Sequence, residues 1–230
     1  MRALVQGFQS LEVARGLSEN SKLLEFQDER GRNWLHLCCS VKFKLHRLKA
    51  ADSIKTAEVL LKAGIDINKE AFREENFRAT PLWFTVAHGQ NLALAEYLLE
   101  RGSDPNHCLF AAGYNNDIEA IKLLARYGAE IDPSVEDASP FLAAIQWSRF
   151  AAAEQLLNLG ADIDFQDSKK MTALHYMLRK GSEKKHIQML IRHGARGDIR
   201  NAGGATAAEI LMRKRDTEFR KMADKLQTRG

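Results

Sequence analysis

Ser139-Pro140-Phe141-Leu142, with Leu156-Leu157 further on and Gly160-Ala161-Asp162-Ile163-Asp164 behind it, carries the start and stop signals of two successive helices. A hydroxyl side chain just before a helix caps its first turn. Pro is tolerated at the first helical position because its missing N–H had no partner there. Gly just past a helix supplies the left-handed C-terminal turn. The stretch therefore reads as turn, helix, turn, helix.

The unit recurs. Its opening motif stands at Asn33-Trp34-Leu35-His36, Thr80-Pro81-Leu82-Trp83, His107-Cys108-Leu109-Phe110, Ser139-Pro140-Phe141-Leu142, Thr172-Ala173-Leu174-His175 and Thr206-Ala207-Ala208-Glu209, with successive starts 47, 27, 32, 33 and 34 residues apart. Paired aliphatics and a closing Gly follow at Leu60-Leu61/Gly64, Leu98-Leu99/Gly102, Leu123-Leu124/Gly128, Leu156-Leu157/Gly160 and Leu190-Ile191/Gly194. In the second helices Ala57, Leu60 and Leu61, or Ile118, Ile121, Leu124 and Ala125, fall three or four apart. One such helix pair cannot cover its own apolar stripe, so neighbouring units must stack to bury it.

These motifs resemble the ankyrin-repeat family, with its Thr-Pro-Leu-His opening, paired leucines and Gly-Ala-Asp-x-Asn tail. The tails here are Gly64-Ile65-Asp66-Ile67-Asn68, Gly102-Ser103-Asp104-Pro105-Asn106, Gly128-Ala129-Glu130-Ile131-Asp132 and Gly160-Ala161-Asp162-Ile163-Asp164. The resemblance implies an all-α solenoid of helix-turn-helix repeats with short β-turn fingers. Five repeats are expected over 28–200, after an N-terminal helical cap at 1–27 and before a divergent capping repeat at 201–230. The arrangement looks like that of small, free-standing bacterial ankyrin proteins.

Two departures stand out. The first repeat takes 31 residues from motif to closing Gly where the others take 21 or 22, so about ten extra residues lie around Val41 to Lys49, a basic and partly apolar insertion. The finger Ile65 to Ala79 is long, whereas the next, after Gly102, is nearly absent, since the following motif starts only five positions on at His107.

Composition fits a folded chain: 230 residues, 45% hydrophobic. Met1 to Ser10 holds no apolar run long enough for a signal peptide and no membrane-spanning run exists, so a cytoplasmic protein is expected. Three cysteines, an odd number without framework spacing, agree with a reducing compartment. The net charge of +4 divides unevenly: residues 1–69 carry +4, 70–168 carry −10 and 169–230 carry +10. The acidic middle suits a basic partner.

No pattern of catalysis or cofactor binding is found: there is no His-Glu-x-x-His, no phosphate-binding Gly-Lys-Ser/Thr loop and no Cys-x-x-Cys. His36, Cys38 and Cys39 lie close enough in sequence to raise the question of zinc. By the resemblance, however, the cysteines occupy small-residue packing positions and His36, like His175, ties its turn together. No metal and no cofactor are expected. Gly203-Gly204 reads as a turn. Arg213-Lys214-Arg215, with Asp216 and Glu218 beside it and no interleaved aromatics, reads as a solvated face rather than a nucleic-acid contact.

The resemblance further implies a concave face built from variable positions on the first helices and fingers. Those positions hold Phe77, Phe84 and His88 in the second repeat, Tyr114 and Asn115 in the third, Gln146 and Trp147 in the fourth, and Lys170, Tyr176, Arg179 and Lys180 in the fifth. Rigid aromatic rings and Arg are common anchors of protein interfaces. The expectation is a monomeric, non-catalytic module that binds a partner protein as an adaptor or inhibitor. Rival readings are an immunity protein neutralising a toxin, a metal-binding or catalytic protein on the same scaffold near the insertion, and a nucleic-acid binder using the basic C-terminal segment.

Overall fold

Each of the hydroxyl-bearing or amide residues that open the repeats does cap a helix in the computed structural model, which describes residues 1–42, 45–46, 48–74, 77–133 and 137–227, without the side chains of 73, 74, 77 and 227. Thr80 Oγ1 accepts the Trp83 N–H at 3.2 Å and Ser139 Oγ the Leu142 N–H at 3.1 Å. Pro81 and Pro140 occupy first-turn positions, where no donor is lost. At the other ends Gly64, Gly102, Gly128, Gly160 and Gly194 take φ between +85° and +94°. Helix starts and stops are thus set locally, and the chain packs as two units.

The first unit comprises Met1–Ala112 and Lys122–Ala129. Helices α1 (Arg2–Gln6) and α2 (Ser10–Glu19) precede α3 (Trp34–Cys39) and the longer α4 (Ala50–Lys62). Trp34 fixes this end: its indole N–H donates to the Leu23 carbonyl at 2.7 Å and its ring stacks on Phe26 at 3.8 Å. The long finger contains a small antiparallel hairpin, β1 (Arg73–Glu74) with β2 (Phe77–Arg78). Next come α5 (Pro81–Phe84), a π-helical turn (Thr85–Gly89) and α6 (Leu92–Leu99). Leu35, Leu60, Leu82, Leu94 and Leu98 are fully buried at the centre. Of the basic insertion, Phe43, Lys44 and Arg47 lie outside the described residues.

Helices α7 (Leu109–Tyr114) and α8 (Ile118–Arg126) contribute residues to both units. The second unit adds Glu130–Gly230, with α9 (Pro140–Gln146), α10 (Phe150–Asn158), α11 (Ala173–Lys180), α12 (Lys184–Arg192), α13 (Ala207–Met212) and α14 (Thr217–Gln227). First helices pack on first helices, α9 on α11 and α11 on α13, while α12 packs on α14. Phe141, Leu142, Ile145, Leu156 and Leu190 form the core.

The tail motif works as a clamp between successive repeats. Asn68 accepts the Asp104 N–H at 2.9 Å and donates to the Gly102 carbonyl at 3.0 Å within the first unit. In the second, Asp132 accepts the Asp162 N–H at 2.6 Å and Asp164 the Arg196 N–H at 2.9 Å. A short acceptor side chain at the last tail position thereby satisfies a backbone donor of the next loop. Among the described residues no helix is long and apolar enough to cross a membrane.

Candidate partner-binding surface

The first helices of the repeats are buried along nearly their whole length, and exposure begins where they end. In α9, residues 140–145 are all buried, Gln146 is half-buried, and Trp147, the C-cap, is 39% exposed. Tyr114 closes α7 in the same way and is 53% exposed. The chain then reverses through a left-handed residue, Asn116 at φ 54° and Ser148 at φ 59°. This local geometry lifts both rings out of the core.

The two rings meet. Tyr114 and Trp147 stand edge to face with centroids 5.1 Å apart and planes at 86°, the arrangement aromatic quadrupoles favour. Arg149 braces the pair: its Nε donates to the Tyr114 carbonyl at 2.9 Å and its guanidinium lies 5.6 Å from the Tyr114 ring. Asn116 accepts the Ala152 N–H at 3.0 Å, which holds the turn behind Tyr114 against α10. The rings are exposed and also positioned.

The expected residues of the fifth repeat lie beside this pair, with one correction. Tyr176 is only 6% exposed; its hydroxyl donates to Asp167, and the Gln146 side chain hydrogen-bonds the same hydroxyl. Burial, then the Asp167 carboxylate, pushes the Tyr176 hydroxyl pKa up. Asp167 is itself buried and accepts the N–H groups of Lys169 at 3.0 Å and Met171 at 2.8 Å, so it organises the turn before α11. Tyr176 is a structural strut rather than an open anchor. Around it the exposed Arg179 sits 4.7 Å over the Tyr176 ring, Lys180 Nζ donates to the Gln146 carbonyl, and Lys170 is exposed on the finger. Asn115 is half-buried.

Phe84 is the second correction. It is 3% exposed and enclosed by rings: His36 edge-on at 5.5 Å, Trp83 edge-on at 5.2 Å and His88 stacked at 5.5 Å, with the Arg32 guanidinium 5.9 Å away. His88 is exposed, and both belong to the first unit. The Phe77 side chain lies outside the described residues.

His36 and the cysteines serve packing. His36 Nδ1 accepts the Asn33 N–H at 3.2 Å, so its proton sits on Nε2, which donates to the carbonyls of Lys69 at 2.8 Å and Ala79 at 3.2 Å. Burial holds its pKa down at about 4, against the pull of the accepting Lys69 and Ala79 carbonyls, which favour the charged ring. His175 repeats the device, accepting from Thr172 and donating to the Ala205 carbonyl at 3.1 Å. Burial pushes the Cys39 thiol up to about 12 and Cys38 and Cys108 upward as well, so these sulfurs stay protonated and apolar. Among the described residues no three His, Cys, Asp or Glu side chains gather as a metal would need. Gly203 and Gly204 form a turn on Asn201, whose Oδ1 accepts the Gly203 N–H at 2.9 Å. Arg213 and Arg215 are exposed in the turn before α14.

Arg149 and Asp167 escaped the sequence reading. Arg149 lies 35 residues from the carbonyl it holds, about one repeat, so aligning each repeat against the next is the signal that would have paired them.

Residues 82–167 match the ankyrin-repeat family model. Two curated relatives are similar over part of the chain. α-Latrotoxin-Lg1a of Latrodectus geometricus is 29% identical over 119 residues, 50% of this chain and 8% of that protein. The ankyrin repeat and IBR domain-containing protein 1 of Mus musculus is 29% identical over 148 residues, 60% of this chain and 13% of that protein. The chain thus spans a small fraction of the length of the curated relatives it matches. Among solved structures, the human ASB11 ankyrin repeat domain superposes with a TM-score of 0.72 at 20% identity, covering 100% of this chain and 96% of that one. The ankyrin repeat domain of Bcl-3 gives 0.72 at 20% identity, covering 98% and 96%. An ankyrin repeat domain from Acinetobacter baumannii gives 0.63 at 19%, covering 82% and 98%. With capped openings, left-handed glycine closures and tail clamps at the matching positions, residues 82–167 are ankyrin repeats, and the chain has the all-α fold of the ankyrin repeat domains on which it superposes.

Proposed function

We propose that the protein is a non-catalytic module that binds a partner protein through the surface around Tyr114 and Trp147 in the second unit. One observation carries this reading: two large rings stand exposed, in contact with each other and braced by Arg149. Exposed aromatics already fixed in place lose little conformational freedom on contact, which is what interface anchors require. Arg179, Lys180 and Lys170 supply a polar margin, and Tyr176 with Asp167 holds the floor. Occupancy of the partner is then the output, as in an adaptor or an inhibitor, and a partner in the cytosol suits the three free, buried thiols.

Affinity capture from the source cell tests the reading. The wild type retains a protein partner that a Tyr114→Ala/Trp147→Ala variant loses, with both proteins giving the same far-UV circular dichroism. Equal retention by the two removes the assignment of this surface. An immunity role is a narrower form of the same reading, and it gains support only if the retained partner is a toxin whose activity the protein blocks.

A further inference from the structure

The first unit contains a cavity of about 790 Å³ that the partner-binding reading leaves unused. It opens to solvent on one side and is bordered by the end of α1, the turn before α3, the start of the insertion, Phe72 of the long finger and the π-helical turn after α5. Among the described residues its charged and titratable lining is of one sign: Arg30, Arg32, Lys42, His46 and His88, with no described Asp or Glu. Arg32 is neutralised by Asp28, which it meets at 2.8 Å. Arg30, Lys42 and His46 have no carboxylate partner among the described residues. Opposite in character is the rest of the wall, where Phe72, Trp83 and Phe84 join Leu45 and Leu48. Trp83 and His88 stand edge to face at 5.2 Å and His88 stacks on Phe84, so the wall is built of rings that buttress one another. Leu45 is 75% exposed although it borders this space, an apolar side chain left in water.

We propose that this cavity is a binding site for a small organic anion bearing a flat apolar ring, its charged group held among Arg30, Lys42 and His46 and its ring against Trp83, Phe84 and His88. The size is that of ordinary small-ligand pockets, about 300–1,000 Å³. Cations that converge without a counter-charge repel one another, and an anion relieves this. Consistent with that field, burial first and then Lys42 and Arg32 hold the His88 pKa down. Guanidinium and ammonium groups supply charge-assisted hydrogen bonds to phosphate, sulfate or carboxylate oxygens, while the rings exclude water from the apolar part. Neither half of the wall alone explains the other.

The test titrates the purified chain with 1-naphthyl phosphate, 1-naphthol and inorganic phosphate by isothermal calorimetry at low salt. The expected result is saturable one-to-one binding of 1-naphthyl phosphate, at least about tenfold tighter than either fragment and weakened by added salt. An Arg30→Glu/Lys42→Glu variant loses at least about tenfold in affinity, and an Arg30→Ala/Lys42→Ala variant confirms the loss with less disturbance to the fold. Trp147→Ala binds as the wild type does, which separates this site from the partner surface. The proposal is overturned if naphthol binds as tightly as naphthyl phosphate, if the charge variants bind unchanged, or if no saturable binding occurs below about 1 mM.

Discussion

His36 shows how one buried residue can set a pH limit on the whole protein. Its ring is fully buried, and its pKa is pushed from 6.5 to about 4, burial being the largest cause. The folded state therefore holds it neutral, while the open chain takes up a proton at about 6.5. The stability it gives is complete above pH 6.5 and falls as pH drops towards 4, because protonation then favours the open chain. The expected loss is of order 3 kcal/mol, from about 1.4 kcal/mol per pKa unit. Urea melts between pH 7 and 4 measure it, and a His36→Gln variant should be less stable at pH 7 with a flatter profile over that range. Equal slopes for both proteins would place the acid sensitivity elsewhere. At the same scale, Phe84 and Tyr176 explain why single residues at variable positions mislead. Repeat position marks both as available, but Phe84 has three rings around it and Tyr176 has Asp167. Trp83 and His88 are sequence neighbours of Phe84, but His36 comes from the preceding repeat and Asp167 from the finger before α11, and the repeat pattern assigns neither a role in burying a variable position.

The elements owe their ends to local chemistry and their irregularities to neighbours. In the second repeat the first helix widens into a π turn over Thr85–Gly89, bringing His88 to the cavity wall. Gly89 sits where a Cβ would lie 2.3 Å from the Cys39 carbonyl oxygen, a backbone atom of α3 that has no room to yield. Gly89→Ala should therefore cost about 1–3 kcal/mol, seen as a lowered melting temperature. A melting temperature unchanged from wild type would mean that the two helices separate readily. The next residue gives the opposite expectation. Gln90 is exposed and holds φ 49°, the left-handed turn that Asn116 and Ser148 adopt at the matching place in later repeats and Gly181 adopts at φ 69°. Gln90→Gly removes that backbone strain and should raise stability by about 0.5–1 kcal/mol; a loss would show that the Gln90 side chain contributes contacts of its own.

For the molecule as a whole, charge is the property that sequence alone partitions, −10 over residues 70–168 and +10 over 169–230. For a basic partner docking beside the acidic stretch, raising salt from about 0.05 to 0.5 M should slow association severalfold and leave dissociation nearly unchanged. Surface plasmon resonance separates the two rates, and an association rate indifferent to salt would rule out electrostatic steering. The repeat, the starts and stops of most of its helices and the all-α solenoid architecture were legible in the chain, because capping hydroxyls, prolines at first turns and closing glycines act within a few residues. Repeat position marked Tyr114 and Trp147 as available, but it marked Phe84 and Tyr176 in the same way, and those two are buried. Packing of the folded chain, by contrast, brings the Tyr114 and Trp147 rings into contact, sets Arg149 against them, encloses Tyr176 and Phe84, and gathers basic and aromatic residues from separated segments around one cavity. The reason is physical: a cap or a turn is settled by neighbours in sequence. Burial and ring contacts depend also on which side chains the stacked repeats bring together, often across thirty or more residues as for Tyr114 with Trp147 and His36 with Phe84, and that is fixed by packing.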